Sequence, residues 1–537
     1  MSSGSTTEAA TRPRRSRGAA SLVAAGIFLS RIAGFIREHY LARYFGSSDA
    51  ADAFRIAFRI PNFLQNLFGE GVLAASFIPV YAGLLARQEE EEAGRVAGAV
   101  FALLALFTSV LTLAGILASP LLVAVLGYGF SGPKRELTIL LVRILFPGAG
   151  LLVMSAWCLG VLNSHRRFFL SYSVSVLWNL AIITSLLWYG PHAAEQRLAV
   201  IVSWASVVGC GLQFGVQLPV VLQLARPLRI ELATRLASVR TVMRNFGPVF
   251  VSRGVVQISS YIDSMLASPI SGGVAMHGYV VNISTLPVSL FGMSVSASEL
   301  PEMSSALGAE AEVASYLRKR LVSGLRRITF FVVPSVVAFI ALGDLIIAAI
   351  LKSGKFQAAQ TEWAWGILAG SGIGLLASTQ GRLYSSTFYA LKDTRTPLRF
   401  AVIRIALTTV LGYICARHVP VWLGIDPKWG IAGLTASAGV SGWIEFLLLR
   451  SALARRIGSE SIGFGYMARL WTAALASAGL AWAIKLSLHW SSSPKLLAIA
   501  TLGPFGILYL LLADPTQTRE LLARFTGGRA SGKPPRP

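Results

Sequence analysis

Acidic residues are scarce in this 537-residue chain: 25 Asp and Glu stand against 48 Lys and Arg, and charged side chains of both signs make up only 14%. Hydrophobic residues make up 54%, so most of the chain cannot form the surface of a water-soluble domain and belongs in hydrocarbon. Cysteine is nearly missing as well. Cys158, Cys210 and Cys415 lie in separate apolar stretches, a spacing that excludes a disulfide framework and a zinc site and leaves them as packing residues. There is no P-loop, so the polypeptide should not hydrolyse ATP itself. The six histidines show no HExxH spacing, and no nucleophile elbow accompanies them. The expectation is a protein that is not an enzyme, with no metal and no cofactor, whose active transport would draw on membrane potential or an ion gradient.

What is present is a series of long apolar runs. A spanning helix needs about 20 mostly apolar residues, and fourteen candidates centre near residues 32, 70, 106, 150, 178, 210, 254, 290, 338, 376, 407, 440, 477 and 504. The stretch from Ala53 to Leu85 is long enough to be kinked or broken at Pro61. With the N-terminus inside, the inner tails and loops hold 29 Lys and Arg against 9 in the outer loops. That asymmetry puts both termini in the cytoplasm. It also explains the net charge of +23 by proximity to an anionic leaflet, so nucleic acid is not an expected partner. A signal peptide is the competing reading of the N-terminus. The apolar run after residue 18 is longer than an h-region, carries arginines and lacks a clear cleavage site.

The chain also repeats itself. Leu67-Phe68-Gly69, then Ala75-Ser76 and Pro79, recurs as Leu290-Phe291-Gly292, then Ala297-Ser298 and Pro301, and Ser30-Arg31 recurs as Ser252-Arg253. Six spans separate the copies, an even number, so the halves should be parallel repeats. The expected fold is an all-α polytopic membrane protein of about 14 transmembrane helices, in two parallel six-helix lobes plus two C-terminal helices. In residues, this gives a disordered basic tail over 1–18, a first lobe over 19–230, a second over 231–457, an appended helix pair over 458–514 and a tail over 515–537.

Charges inside the spans are the candidates for function. A charge near the bilayer centre costs roughly 2.5 to 3.5 kcal/mol on insertion scales, so it is usually turned toward a cavity or a partner. Arg31 and Arg37 sit in the first span, Arg253 repeats the intrusion in the seventh, and Arg143 lies in the fourth. In the second segment Asp52, Arg55 and Arg59 fall on one helical face at i, i+3 and i+7, which offers Asp52 as the neutralising partner of an arginine. Snorkelling at a membrane boundary is the alternative for Arg37, Arg43 and Arg55. Guanidinium groups facing one space suit phosphate or carboxylate, because the planar fork donates paired hydrogen bonds and stays charged when desolvated. The candidate substrate site is therefore Arg31, Arg37, Arg59 and Arg253 with Ser30. Glu70, beside Gly69 and Gly71, is a candidate for coupling or for a salt bridge. A cationic-drug exporter should instead present intramembrane carboxylates, for which Asp263, Glu299 and Asp344 are the candidates in the second half. A membrane glycosyltransferase should carry a large polar loop with acidic residues, whereas the longest soluble loop, near Arg226 to Arg244, is short and basic. A scaffold for wall synthesis would tolerate loss of the arginines.

Residues 30–38, Ser-Arg-Ile-Ala-Gly-Phe-Ile-Arg-Glu, are followed by Ala42-Arg43-Tyr44-Phe45-Gly46, Asp52-Ala53-Phe54, Pro61-Asn62, Phe68-Gly69-Glu70-Gly71 and Ser76-Phe77-Ile78-Pro79. This order and spacing resembles the N-terminal signature of the MurJ/MviN lipid II flippases. Gly354-Lys355-Phe356 and the run from Phe388 to Pro397 resemble that family's second-half motifs. The resemblance implies a bacterial inner-membrane exporter of the multidrug/oligosaccharidyl-lipid/polysaccharide superfamily, with two lobes forming a V around a cationic cavity. It implies lipid II as cargo, moved from the cytoplasmic to the periplasmic leaflet by alternating access, with membrane lipids and the cell-wall synthesis machinery as partners. It further implies that Arg31 and Arg37 contact the diphosphate or its neighbouring sugar, that Asp52 helps gate the periplasmic side, and that the last two helices hold the lipid tail. The chain departs from the family pattern at Gln65 and Asn282, where relatives carry cavity arginines. Arg59 and Arg253 are the candidates to compensate. A flippase for another polyprenyl-diphosphate oligosaccharide and a MATE-like drug exporter are the alternative readings.

Overall fold

A computed structural model describes residues 17–68, 70–306, 308–459, 461–488, 493–514 and 518, with the side chains of 17–25, 27, 64–68, 70–71, 74 and 247–260 outside the description. The expected tails, except residues 17, 18 and 518, lie outside it, as do the side chains of Gln65, Glu70 and Arg253. The described chain is helical and contains no strand.

The principal helices are α1 (Arg17–Phe45), α2 (Asp49–Phe68), α3 (Glu90–Leu117), α4 (Gly132–Ser164), α5 (Phe168–Tyr189), α6 (Glu195–Leu224) and α7 (Ala237–Ala267). They continue as α8 (Gly273–Ser304), α9 (Glu310–Ala341), α10 (Ala358–Ala390), α11 (Arg395–Leu423), α12 (Pro427–Ile457), α13 (Phe464–Ser487) and α14 (Pro494–Leu512). Each except α2 covers one predicted centre; the centre near residue 70 falls at the start of the short helix Glu70–Ser76. Among the described residues ten of them are long and apolar enough to cross a membrane, while α2, α7 and α10 are diluted by charge or by Gly, Ser and Thr.

Of the kink or break expected at Pro61, the break does not occur. Helix α2 runs through Pro61 to Phe68, and the interruption falls at Phe77, between the short helices Glu70–Ser76 and Ile78–Ala86. There Pro79 occupies the first turn of the following helix, where its missing N–H has no partner to lose. In the second half, Pro287 is followed by a π turn over Val288–Met293, which carries the repeated Leu-Phe-Gly.

The two halves are assembled alike. In the first, α4 is the central helix and packs on α2, α3 and α6; in the second, α10 is central and packs on α8, α9 and α12. Small residues permit that closeness: a Cβ on Gly374 of α10 would lie 2.3 Å from the Cα of Gly439 in α12. The appended α13 and α14 pack on each other, on α9 and on the helix Gly343–Leu351. Tyr509 donates to the Phe330 carbonyl at 2.6 Å, fixing α14 to α9.

Buried apolar side chains form two clusters. One runs without interruption from α1, α2 and α4 through the whole second half. The other is confined to the opposite end of the first half, where the second half contributes Val239 and Val242 of α7 to the buried set. The halves therefore share one core at the end that loop charge assigns to the outside, and at the other end α7 of the second half still packs on the first half, mainly on the helix Glu70–Ser76.

Candidate functional site

Helices α1 and α2 meet α5 and α8 around one carboxylate. Glu38 is buried on α1, and both of its oxygens are occupied. Arg37 Nη2 reaches Glu38 Oε1 at 2.9 Å, Arg55 Nη1 donates to the same oxygen at 3.3 Å, and Arg55 Nη2 pairs closely with Oε2. Arg37 also donates from Nη1 to Asn179 Oδ1 of α5 at 3.0 Å and lies 5.2 Å from the Trp178 ring centre. Arg55 stacks over Tyr279 of α8 at 4.5 Å, with Gly278 leaving room for its side chain. Such stacking holds a guanidinium while its unused N–H groups stay directional. Two cations share one anion, so this cluster keeps an excess of one positive charge in a largely desolvated place.

One turn further along α2, Arg59 pairs closely with Ser264 of α7, and its carbonyl accepts from Tyr261 at 3.0 Å. Asp263 and Arg55 act on it electrostatically. Arg55 and Arg59 thus lie between the halves, and Arg37 is joined to Arg55 through Glu38. Arg31 is not part of this group. It is exposed, beside the exposed apolar stripe of Phe28, Ile32 and Ile36. Ser30 accepts from Ser175 of α5 at 2.8 Å, a bond within the first half. Arg143 is exposed and donates to Ser119. Asn282 bonds its own helix at the Gly278 carbonyl.

Asp52 corrects a reading of the sequence. It does not neutralise an arginine of its own helix; its Oδ2 accepts from Lys134 Nζ at 2.6 Å and from the Gly272 N–H at 2.8 Å, and its Oδ1 from the Ala275 N–H at 2.8 Å. The carboxylate is fully buried and caps the N-terminus of α8, so an aspartate of the first half satisfies orphan donors of the second. Gly272 holds φ +73°, and a Cβ there would lie 2.5 Å from the Ser47 carbonyl oxygen, which is why glycine sits at this approach. Around it, Ser268 accepts from the Gly129 N–H at 3.1 Å, Lys355 N–H donates to the Arg43 carbonyl at 2.8 Å, and His39 meets the Ile350 carbonyl at 2.6 Å. These bonds close the outer end.

The second half's carboxylates face cations. Glu299 pairs with Arg320 at 2.8 Å, Asp344 with Lys485 at 2.6 Å and Glu445 with Arg404 at 2.9 Å, while Asp263 feels Arg59 and Arg404. Outside the membrane, Asp393 in the motif before Pro397 accepts from the N–H groups of Arg395 and Thr396 at 3.0 Å, from the Thr396 hydroxyl at 2.7 Å, and pairs with Arg456 at 2.8 Å. The Thr396 bonds first, and Arg456 after them, hold its carboxyl below the ordinary carboxylate range.

Spacing alone missed Arg55, Glu38 and Lys134 as a set. Glu38 adjoins Arg37 in sequence, the one local signal available, while Lys134 and Asp52 are 82 residues apart. Among the described residues no group of His, Cys, Asp and Glu is arranged to hold a metal ion.

A family profile described as "Lipid II flippase MurJ" matches residues 41–500. "Lipid II flippase MurJ" of Burkholderia cenocepacia is 31% identical over 475 residues, 86% of this chain and 87% of that protein. "Probable lipid II flippase MurJ" of Rhizobium meliloti is 30% identical over 475 residues, 87% and 85% respectively. Among solved structures, "Lipid II flippase MurJ, inward closed conformation" superposes with TM-score 0.74 at 22% identity, covering 94% of this chain and 99% of that one. An inward-facing "multidrug resistance MATE family transporter of the MOP superfamily" follows at TM-score 0.64 and 16% identity, covering 82% and 100%. At these identities the two structures establish the fold.

Proposed function

This chain belongs to the lipid II flippase MurJ family, and from that premise we propose how its residues divide the work of moving lipid II across a membrane. The diphosphate of the headgroup is received by the cluster of Arg37, Arg55 and Arg59. The observation that carries this reading is Glu38 shared between Arg37 and Arg55, which leaves one uncompensated guanidinium charge between the halves. A diphosphate supplies the missing anion and accepts the fork's paired hydrogen bonds. Arg31, Ser30 and Arg253 are the candidates to meet the headgroup before it reaches that cluster.

Asp52 acts as the outer latch. Two of its three hydrogen bonds, those from the Gly272 and Ala275 N–H groups, exist only while α2 and α8 are together, so they are exchanged for water when the outer end opens. Binding and latch need only moderate energies, because a state held too tightly would stall the cycle. The chain catalyses no bond-making step in this reading and is driven by membrane potential or an ion gradient. Glu70 is placed on the coupling path. Both termini lie in the cytoplasm of a bacterial inner membrane, residues 19–230 and 231–457 move as the two lobes, the pair over 458–514 holds the lipid tail, and the cell-wall synthesis machinery receives the product.

The test is depletion of the protein in its host with lipid II measured by leaflet. Accumulation in the inner leaflet, rescued by the wild-type chain and not by Arg37→Ala at matched expression, is expected. Rescue by Arg37→Ala would remove the cluster from the site, and no accumulation on depletion would remove the function.

A further inference from the structure

At the outer end of the appended pair, away from the arginine cluster, lies a cavity of about 410 Å³. It is framed by the helix Gly343–Leu351, the first turns of α10, the end of α13 and the start of α14. Its size falls in the range of small-molecule sites. Its charged lining is balanced: Lys352 and Lys485 oppose Asp344 and Glu362. A wholly anionic ligand would leave the two carboxylates opposed, whereas a ligand carrying both signs matches all four.

Asp344 is used on one side only. Its Oδ2 takes the Lys485 ammonium at 2.6 Å, while its Oδ1 is buried and has no hydrogen-bond partner. A buried carboxylate oxygen without a donor is costly, so the cavity calls for an N–H or O–H group at that point. The surroundings set the depth. Trp365 and Trp482 donate their indole N–H groups to the consecutive carbonyls of Ile340 and Ala341, at 3.0 and 3.1 Å, and such tryptophans mark the headgroup level of a bilayer. Beside the cavity Leu496 and Ile499 of α14 are 64% and 71% exposed, an apolar strip along which acyl chains can run.

We infer that this cavity is a binding site for an aminophospholipid, a diacyl lipid with a phosphoethanolamine headgroup. Its primary ammonium donates to Asp344 Oδ1 with Glu362 alongside, and its phosphate lies between Lys485 and Lys352. A choline headgroup, having no N–H, cannot fill the donor position.

The experiment is native mass spectrometry of the full chain in detergent, titrated with phosphatidylethanolamine, phosphatidylcholine and phosphatidylglycerol of identical acyl chains. Wild type should retain the ethanolamine lipid about tenfold better than the choline lipid, the effect of one charge-assisted hydrogen bond. Asp344→Asn should bring the two to parity. Ala348→Trp, which fills the cavity from its wall and leaves both members of the ion pair in the chain, should abolish the preference even if the Asp344 variant fails to fold. Glycerophosphoethanolamine should compete with the bound lipid and inorganic phosphate should not. Equal retention of ethanolamine and choline lipids by wild type, a preference that survives Ala348→Trp, tighter binding of the glycerol lipid, or competition by inorganic phosphate would each overturn the assignment.

Discussion

Helix α2 carries two charged sites three residues apart that are finished differently. Asp52 is saturated: two backbone N–H groups and an ammonium take both of its oxygens, and nothing else is needed. Arg55, one turn on, shares its only counter-ion with Arg37 and leaves positive charge over. The saturated site joins the two halves by hydrogen bonds, and the unsaturated one lies where Asn179 of the first half and Tyr279 of the second meet its guanidinium groups. A contact that is complete in one conformation can serve as a latch, while a cluster left short of an anion is prepared for a ligand. Composition cannot separate the two roles, because both are buried charges on one helix.

The comparison breaks most sharply at Asp52. Replacing it by Ala leaves the Gly272 and Ala275 N–H groups without their acceptor and Lys134 with Asp49 alone, and losing one partner of a buried pair costs about 3 kcal/mol. Spin labels at Ser131 and Ile425, one on each half at the outer end, should then gain a longer-distance population. An unchanged distance distribution would show that Asp52 is a structural cap and not a latch. Arg37→Lys probes the other site with a smaller loss. It keeps the charge but loses the fork that spans Asn179 and Glu38, so complementation should be partial where Arg37→Ala gives none.

Asp393 gives the smallest effect and a control outside the membrane. Asp393→Ala should lower stability by about 1 kcal/mol, the usual worth of a helix cap, without changing lipid II transport. The sign of its pH dependence follows from its lowered pKa. The carboxylate's contribution is present above the unfolded value near 4 and is lost as pH falls through the depressed folded value. Wild type should therefore lose stability relative to Asp393→Ala only in strongly acidic solution, as read by thermal melts at stepped pH. A gap that closes already near pH 6 would contradict the assignment.

Much of the architecture was legible because the bilayer imposes a length and a composition on every span. The parallel repeat was legible from Leu67-Phe68-Gly69 and Leu290-Phe291-Gly292, and it reappears as the equivalent central roles of α4 and α10. Helical spacing identified Asp52, Arg55 and Arg59 as sharing a face, but a face does not say what stands opposite. Lys134 lies in a turn at the start of α4, and Tyr279 and Gly278 reach Arg55 from the other half, so no local pattern ties them to α2. Pro61 misled because a proline inside a helix can be tolerated where neighbouring helices pack closely, as α4 does on α2.

The most direct test of the central claim is a count of charge at the Glu38 cluster by lipid II binding to the purified chain. Arg37→Met and Arg55→Met each lower the cluster from one excess positive charge to none, whereas Glu38→Gln raises it to two. Lipid II should bind more weakly than wild type to both arginine variants, and at least as tightly to Glu38→Gln. Weakened binding to a folded Glu38→Gln variant, with both arginine variants unaffected, would show that the cluster holds the fold together and does not receive the diphosphate.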